Sequence, residues 1–435
     1  MTDTIFALSS AYGKAGVAVF RISGPRAKHA LEKLTGRKSF APNMLFFARI
    51  KHPRTDAHID DAMAVFMKAP KSFTGEDSAE IHTHGGAAVI AAMYDALGSV
   101  KGARLATPGE FTRRAFENGK LDLAGVEGVA DLIDSETEAQ RRAALKRFDG
   151  ATAKMYKDWR TRLLEILSFA EASIDFSEDE LPENIAQTNT QKLQKLAREI
   201  AAHLRTAEVS RRIASGLAVA IIGRPNVGKS SLFNRLVGKS RALVSATPGT
   251  TRDVLEASLD IGGFKVGLMD TAGLNERPAD NIERQGISRA RRAARRADVK
   301  MFVSDKLAEL TAAKPATDTI RILNKIDRRD GAKIPPGIIA VSAKTGRGLA
   351  RLLSTLEEKV REQTHAPEDA ALALTRSKSA LETTLKDIRA SLREPEHALS
   401  AERLRSALRS LGTLTGEVKF SELLDKIFSS FCLGK

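Results

Sequence analysis

The chain has 435 residues, 42% of them hydrophobic, with one cysteine, Cys432, and 5% aromatics. That much apolar material excludes wholesale disorder, and a lone cysteine excludes a disulfide framework or an all-cysteine zinc site within the chain. Its 69 basic and 54 acidic side chains leave a net charge of +15, a field that favours polyanions, while so few aromatic rings argue against single-strand recognition by base stacking.

Residues 1–118 read as mixed strand and helix. Segments 16–23 (GVAVFRIS) and 62–67 (AMAVFM) have strand character, and Gly24-Pro25, Ala69-Pro70, Gly85-Gly86 and Thr107-Pro108-Gly109 punctuate the region. His82 and His84 share one face of a strand, without a third residue to complete a metal site. From about 119 the pattern becomes helical. Leu163, Ile166, Leu167 and Ala170 recur at helical spacing, as do Leu193, Leu196, Ile200, Leu204 and Ala207, with an acidic turn around 177–183 between them. His203 and His397 read as surface residues. Residues 217–222 (LAVAII) form a short apolar strand, and strand-like and helix-like runs then alternate to about 360. Beyond Pro367 helices return, with stripes at Leu404, Leu408 and Leu411 and at Leu424, Ile427, Phe428 and Phe431. The simplest organisation is an α/β domain inserted into a helical one, since domain termini often lie close together. No apolar run reaches the ~18 residues of a membrane span, and the first ten residues, MTDTIFALSS, lack a signal-peptide pattern. The expectation is a soluble, cytoplasmic protein with no membrane association.

Chemistry concentrates after the 217–222 strand. Gly223-Arg224-Pro225-Asn226-Val227-Gly228-Lys229-Ser230 fits G-x-x-x-x-G-K-[ST] between an apolar strand and an amphipathic helix that begins at Ser231. Glycines let successive N–H groups of Val227 and Gly228 face phosphate oxygens, Lys229 reaches the β- and γ-phosphates, and the Ser230 hydroxyl suits Mg²⁺. Asp270-Thr271-Ala272-Gly273 follows a strand: its carboxylate suits the magnesium shell, and the Gly273 N–H suits the γ-phosphate. Asn324-Lys325-Ile326-Asp327 follows another. An aspartate there accepts from guanine N1–H and the 2-amino group, donors that adenine lacks. Ser342-Ala343-Lys344 offers a backbone contact to guanine O6. Four motifs in this order, each at a strand end, predict a GTP site on one sheet edge. Between the first two lies a hydroxyl-rich segment, Ser245-Ala246-Thr247-Pro248-Gly249-Thr250-Thr251, whose Thr251 suits Mg²⁺ and whose ordering is the natural switch. Leu274 stands where many small GTPases carry a water-orienting glutamine, so that role must lie elsewhere; Glu283 is a candidate. Asn226 could help ligate a monovalent cation beside the phosphates.

The chain also resembles the MnmE (TrmE) family of tRNA-modification GTPases from end to end. The resemblance is carried by Asp3-Thr4-Ile5, Arg21-Ile22-Ser23-Gly24-Pro25, Ser72-Phe73-Thr74-Gly75-Glu76-Asp77, His84-Gly85-Gly86, Pro108-Gly109-Glu110-Phe111-Thr112, Lys120-Leu121-Asp122-Leu123 and the terminal Phe431-Cys432-Leu433-Gly434-Lys435. It implies a multidomain α/β and α architecture: an α+β tetrahydrofolate-binding domain at 1–118, a helical domain split into 119–212 and 366–435, and a P-loop α/β G domain inserted at 213–365. It further implies a homodimer that works with an FAD-dependent MnmG-like partner as a heterotetramer. Together they add an aminomethyl or carboxymethylaminomethyl group to C5 of the tRNA wobble uridine (U34). The one-carbon unit comes from a 5-formyl or 5,10-methylene tetrahydrofolate. GTP hydrolysis is implied to be stimulated by K⁺ and by G-domain association. In the family's pattern Asn226, Ser245, Thr247 and Thr250 fall on K⁺, Ser230 and Thr251 on Mg²⁺, and Glu283 on the water-orienting glutamate. Arg21, Glu80, Lys120 and Lys435 fall on folate, and Cys432 near the modification chemistry. The segment between Val303 and Ile320 is short for the family, and residues 289–296 carry five arginines that could contact tRNA. A switch GTPase of ribosome assembly, or a folate transferase, are the rival readings; folate binding and GTP turnover respectively separate them.

Overall fold

The computed structural model describes residues 3–175, 183–243, 256–270, 296–313, 316–329, 333–364, 377–415 and 434. The chain divides into two compact units, one from 1–130, 147–162 and 408–435, the other from 131–146 and 163–407.

In the first unit, strands β1 (Thr4–Leu8), β2 (Ala15–Ser23), β3 (Phe46–Lys51), β4 (His58–Met67), β5 (Ser78–Gly85) and β6 (Ala103–Leu105) form one sheet in the order β3-β4-β5-β2-β1-β6. All neighbours are antiparallel except β1 and β6. The two-residue period of a strand puts Phe20 and Ile22 of β2 and Ala79 and Ile81 of β5 into one core. They pack there with Leu31 and Leu34 of α1 (Ala27–Thr35) and Ile90, Met93 and Leu97 of α2 (Ala87–Gly98). On the opposite face Ile5 and Ala7 meet Phe73 and Phe111, the latter from α3 (Glu110–Glu117). The strand expected over 62–67 begins four residues earlier, at His58, because His58-Ile59-Asp60-Asp61 has no apolar alternation to announce it. His82 and His84 lie on β5 beside carboxylates, with Glu80 Oε2 at 3.4 Å and Asp60 Oδ1 at 2.9 Å. Among the described residues no cluster of three or more metal-type ligands occurs.

Helices α4 (Leu123–Ile133), α5 (Glu138–Phe148), α6 (Ala151–Asp175) and α7 (Glu183–Ser215) follow. Over residues 187–215 of α7 the buried residues are Leu193, Leu196, Ala197, Ile200, His203, Ala207 and Ser210; Ala197 apart, they are spaced alternately three and four apart as in a heptad seam. His203, expected at the surface, is therefore buried: the seam runs through 203, and Leu204 lies beside it, half-buried.

The second sheet belongs to the second unit. It comprises β7 (Leu217–Ile222), β8 (Arg241–Ala242), β9 (Glu256–Ile261), β10 (Phe264–Asp270), β11 (Val299–Ser304), β12 (Thr319–Leu323) and β13 (Ile338–Ala340), in the order β13-β12-β11-β7-β10-β9-β8. The five strands from β13 to β10 are parallel; β9 and β8 run as an antiparallel edge. Buried on both faces, β7 reads as an unbroken apolar run, as a parallel strand must. Helices α8 (Lys229–Lys239), α9 (Leu307–Ala312) and α10 (Leu349–Thr364) belong to this part of the chain, with Leu232 and Leu236 of α8 and Leu349, Leu352 and Leu356 of α10 in its core. Helices α11 (Ser377–Ser391) and α12 (His397–Thr415) complete the described structure. On α12 Leu404 and Leu411 are buried, whereas Leu408 is half-buried and Ala407 takes the inward place. No described helix is long and apolar enough to cross a membrane.

Candidate nucleotide site

Strand β7 is the point at which the sheet order reverses, with β10 on one side and β11 on the other. In such sheets the crevice for a ligand opens beyond the carboxyl ends of the strands at that point. The loop 223–228 occupies it. Its glycines are required by space and by backbone conformation. Gly223 has φ +151°, and a Cβ there would lie 2.1 Å from the Val303 carbonyl oxygen; Gly228 has φ +95°, and a Cβ there would lie 2.4 Å from Asn324 Nδ2. Helix α8 starts directly after Gly228, so the unpaired N–H groups of its first turn point into the loop.

Lys229 is 5% exposed. Its Nζ donates to the carbonyls of Gly223 at 2.9 Å and Arg224 at 2.8 Å, which holds the ammonium over the loop. Ser230 and Ser231 follow in the first turn of α8, Ser230 and Ser231 both being exposed. Asp270 ends β10 in register with Ile221 of β7 and is 1% exposed. This carboxylate is thus buried at the strand end beside the one that enters the loop.

Asn324 joins the two halves of the site. It is 1% exposed. Its Nδ2 donates to the Val227 carbonyl at 2.9 Å, and its Oδ1 accepts from the Ala343 N–H at 3.1 Å. Lys325, with φ 62°, adds a second tie from its Nζ to the Asn226 carbonyl at 2.6 Å and to Asp305 Oδ2 at 2.8 Å. Asp327 lies on the short 3-10 turn Ile326–Arg328, where its Oδ1 accepts from Ser342 Oγ at 2.6 Å. That hydroxyl holds the Asp327 carboxyl below the usual carboxylate range, so it is an anionic acceptor at neutral pH. Ser342 Oγ in turn accepts from the Thr345 N–H at 3.1 Å, which closes the 342–345 turn, and Lys344 is exposed on it.

Three residues that motif reading passed over complete this joint. Arg235, on α8, donates from Nε to the Ala343 carbonyl at 3.2 Å and from a second guanidinium nitrogen to the Lys344 carbonyl. Asp305 takes the Lys325 ammonium, and Glu309 pairs with Arg224 at 3.0 Å while accepting from Ser304 Oγ at 2.8 Å. The stretch from the end of β11 through α9 thereby ties to both the 223–228 loop, through Arg224, and the Asn324–Asp327 segment, through Lys325. Ser245, Ala246, Thr247, Pro248, Gly249, Thr250, Thr251, Thr271, Ala272, Gly273, Leu274 and Glu283 lie outside the described residues, as do arginines 289–295.

In the first unit Arg21 and Glu80 are cross-strand partners on β2 and β5, with Nε to Oε1 at 3.0 Å. The Arg21 guanidinium lies 5.2 Å from the Phe73 ring centroid and 5.8 Å from that of Phe111. Lys120 donates to the Pro70 carbonyl at 3.1 Å and packs against Gly75, whose added Cβ would lie 3.2 Å from Lys120 Cγ. The 70–77 loop is thus shared by Arg21 and Lys120. It is anchored by Arg114, fully buried, which binds Glu76 at 3.1 Å, Asp3 at 2.9 Å and Glu110 at 3.1 Å. Arg114 carried no signal in the sequence, because an arginine is buried only where carboxylates converge on it. Of the chain end only Gly434 is described. Its carbonyl accepts from Ser9 Oγ at 3.0 Å, beside the end of β1; Cys432 and Lys435 lie outside the described residues.

Two family models match the chain: GTP-binding protein TrmE N-terminus over residues 4–120 and MnmE helical domain over residues 123–432. Relatives bearing the name tRNA modification GTPase MnmE align over the whole of both chains. They include proteins of Parvibaculum lavamentivorans at 48% identity, Roseobacter denitrificans at 43% and Rickettsia rickettsii (strain Sheila Smith) at 41%. Among solved structures, a point variant of Aquifex aeolicus Era bound to GDP·AlF4⁻ aligns at 26% identity over 41% of this chain and 68% of its own, with a TM-score of 0.25.

Proposed function

This chain belongs to the MnmE (TrmE) family of tRNA modification GTPases, and from that premise we propose the finer division of labour that follows. It hydrolyses GTP. Acting as a homodimer with an FAD-dependent MnmG-like partner in the cytoplasm, it adds an aminomethyl or carboxymethylaminomethyl group to C5 of the tRNA wobble uridine. The carbon comes from a 5-formyl or 5,10-methylene tetrahydrofolate held by residues 1–118. Residues 119–212 and 366–435 form the helical domain, and 213–365 the G domain.

The observation that carries the GTP reading is the joint at Asn324, which ties the phosphate loop at Val227 to the base loop at Ala343. On that frame Lys229 turns from the loop carbonyls to the β- and γ-phosphates, and the N–H groups of residues 227–231 donate to phosphate oxygens. Asp327 accepts from guanine N1–H and the 2-amino group, and a backbone N–H of the 342–344 loop meets O6. Ser230 and Thr251 would hold Mg²⁺, and Asn226, Ser245, Thr247 and Thr250 would hold K⁺; when bound, these cations offset charge on the β- and γ-phosphates. The described donors fit that assignment. Ser230 presents its hydroxyl in the first turn of α8, the buried Asp270 lies at the adjoining strand end, and Asn226 stands exposed at φ 60°. Glu283 orients the attacking water, the role that Leu274 cannot fill. Arg21, Glu80 and Lys120, with Lys435 from the chain end, bind folate: cations suit its glutamate tail, and a carboxylate suits the pterin edge. Cys432 serves the modification chemistry.

The decisive test is turnover of GTP against ATP in K⁺ and in Na⁺, joined to calorimetry with 5-formyltetrahydrofolate and mass spectrometry of wobble uridines from cells lacking the protein. GTP-selective, K⁺-stimulated turnover, folate binding and loss of the modified uridine are the expected results. Equal hydrolysis of ATP would overturn the reading of the nucleotide site, and a protein that ignores folate would overturn the assignment of residues 1–118.

A further inference from the structure

Helices α7 and α11 pack along matched seams. Leu193, Leu196 and Ile200 are buried on α7, and Leu381, Thr384 and Ile388 on α11. The two helices frame a cavity of about 610 Å³, and a second of about 460 Å³, lined by α11 and the residues just after it, adjoins the first at Arg389. Five cations line them: Arg198 and Arg205 from α7, Lys386 and Arg389 from α11, and Arg393 just beyond it. Glu382 is the one acid among the lining residues, and it faces Lys378 at 3.9 Å. None of the five cations forms an ion pair with a described carboxylate.

Other arginines of this unit are held by carboxylates. Arg211 pairs with Glu208 at 2.6 Å, Arg361 with Glu357 at 2.7 Å, and Arg405 with Glu171 at 2.8 Å. A cation in the last turn of a helix is favoured by the helix dipole, which accounts for Arg389 but not for Arg198 or Arg205, two turns apart within α7. Like charges gathered around a concave surface repel one another unless a polyanion neutralises them. The floor between them is aliphatic, with Ala197, Ala201 and Leu385 and no aromatic ring, so the groove has nothing on which to stack a base.

Resting on the tRNA-modification reading, we infer that this groove binds the phosphodiester backbone of tRNA, reading shape and charge rather than sequence. Contacts of this kind position an RNA and leave its chemistry to another site. An acidic protein segment is the competing occupant, and the test separates the two.

The experiment measures binding of an in vitro transcribed tRNA to the full-length protein by filter retention, across about 50 to 200 mM KCl. The groove variant is R198Q/R205Q/R389Q. The control variant, R211Q/R361Q/R405Q, removes the same charge from paired positions. Loss of three phosphate contacts lowers the slope of log affinity against log salt by about two, and weakens binding about tenfold or more, while the control changes affinity less than about threefold. Unchanged GTP turnover in both variants reports an intact fold and keeps the outcome separate from the GTPase reading. Parent-like affinity and slope in the groove variant, an equal loss in the control, or no tRNA binding by the parent at low salt would each overturn the inference. So would a groove variant that keeps tRNA but loses the FAD-dependent partner, which would assign the groove to an acidic protein surface.

Discussion

Replacing Asn324 with Ala should separate the two halves of the nucleotide site. The residue is 1% exposed and makes two hydrogen bonds to backbone groups, one to the Val227 carbonyl and one from the Ala343 N–H. Truncation leaves both backbone groups without that partner in a closed environment. Each such loss costs about 1–3 kcal/mol, so the pair costs about 2–6 kcal/mol. Where the cost appears depends on how the free protein responds. If the loops stay in place without their tie, the variant loses stability. If they relax, they must be reordered when nucleotide arrives, and the cost appears as weaker binding. The expected result is GTP affinity reduced about 30-fold or more, or a comparable loss of folding free energy, measured by calorimetric titration and thermal unfolding of the same preparation. A domain of this size shifts by about 2–4 °C per kcal/mol. A variant that keeps GTP affinity within about threefold and melts within about 2 °C of the parent would refute the joint.

Asp327→Asn keeps an oxygen for Ser342 Oγ but replaces an acceptor with a donor, so GTP should bind about a hundredfold more weakly. Xanthosine triphosphate, which carries a carbonyl where guanine has its amino group, should gain in competition, and an unchanged preference for guanine would count against Asp327 as the base selector. Glu283→Ala should leave GTP affinity near the parent and slow single-turnover hydrolysis by about a hundredfold or more; near-normal turnover would remove it from the catalytic set. In the first unit, burial pushes Glu110 up, but Arg104, the Thr107 N–H and Arg114 together outweigh it and hold its carboxyl at about 2 instead of 4.5. A depressed carboxyl stabilises the folded form fully above its unfolded value. The stabilisation, about 3 kcal/mol at most, is lost as pH falls from about 4.5 towards 2. Denaturant titrations across that window should therefore show the parent's advantage over Glu110→Gln shrinking as pH falls, and a pH-independent difference would refute the network.

What could be read from the sequence was chemistry with an obligatory spacing. Gly223, Gly228 and Lys229 stood out because the motif needs those residue types between an apolar strand and a helix, and the structure places them between β7 and α8. Asn324, Asp327 and Ser342 stood out because each follows a strand, and the structure brings them together. Arg235, Asp305 and Glu309 left no such trace. They act through partners as far away in sequence as Ala343, more than a hundred residues from Arg235, and only the sheet order brings those partners together. Arg114 is the extreme case: its burial depends on carboxylates at positions 3, 76 and 110 converging. His203 fails for a different reason. A stripe counted through Leu204 and one counted through His203 differ by one residue, and hydropathy favours the leucine. The heptad step from Ile200 to Ala207, set by packing, selects the histidine.

The joint has a consequence for the order of events at the site. Lys325 donates to the carbonyl of Asn226, and Asn324 donates to the carbonyl of the next residue, Val227. Asn226 is the P-loop member of the proposed K⁺ set, and Lys325 and Asn324 lie two and three residues before Asp327, the proposed base selector. On the proposed assignment, guanine clamped at Asp327 and Ser342 would steady the backbone that presents Asn226, before any switch residue has to order. A correctly seated base would thus prepare the proposed cation position, whereas a base that Asp327 rejected would leave that stretch of loop less constrained. Coupling of this kind needs no separate signal path. It would follow from two adjacent side chains, Asn324 and Lys325, holding two adjacent carbonyls, so that in the proposed site selectivity for guanine and readiness for hydrolysis would draw on the same few hydrogen bonds.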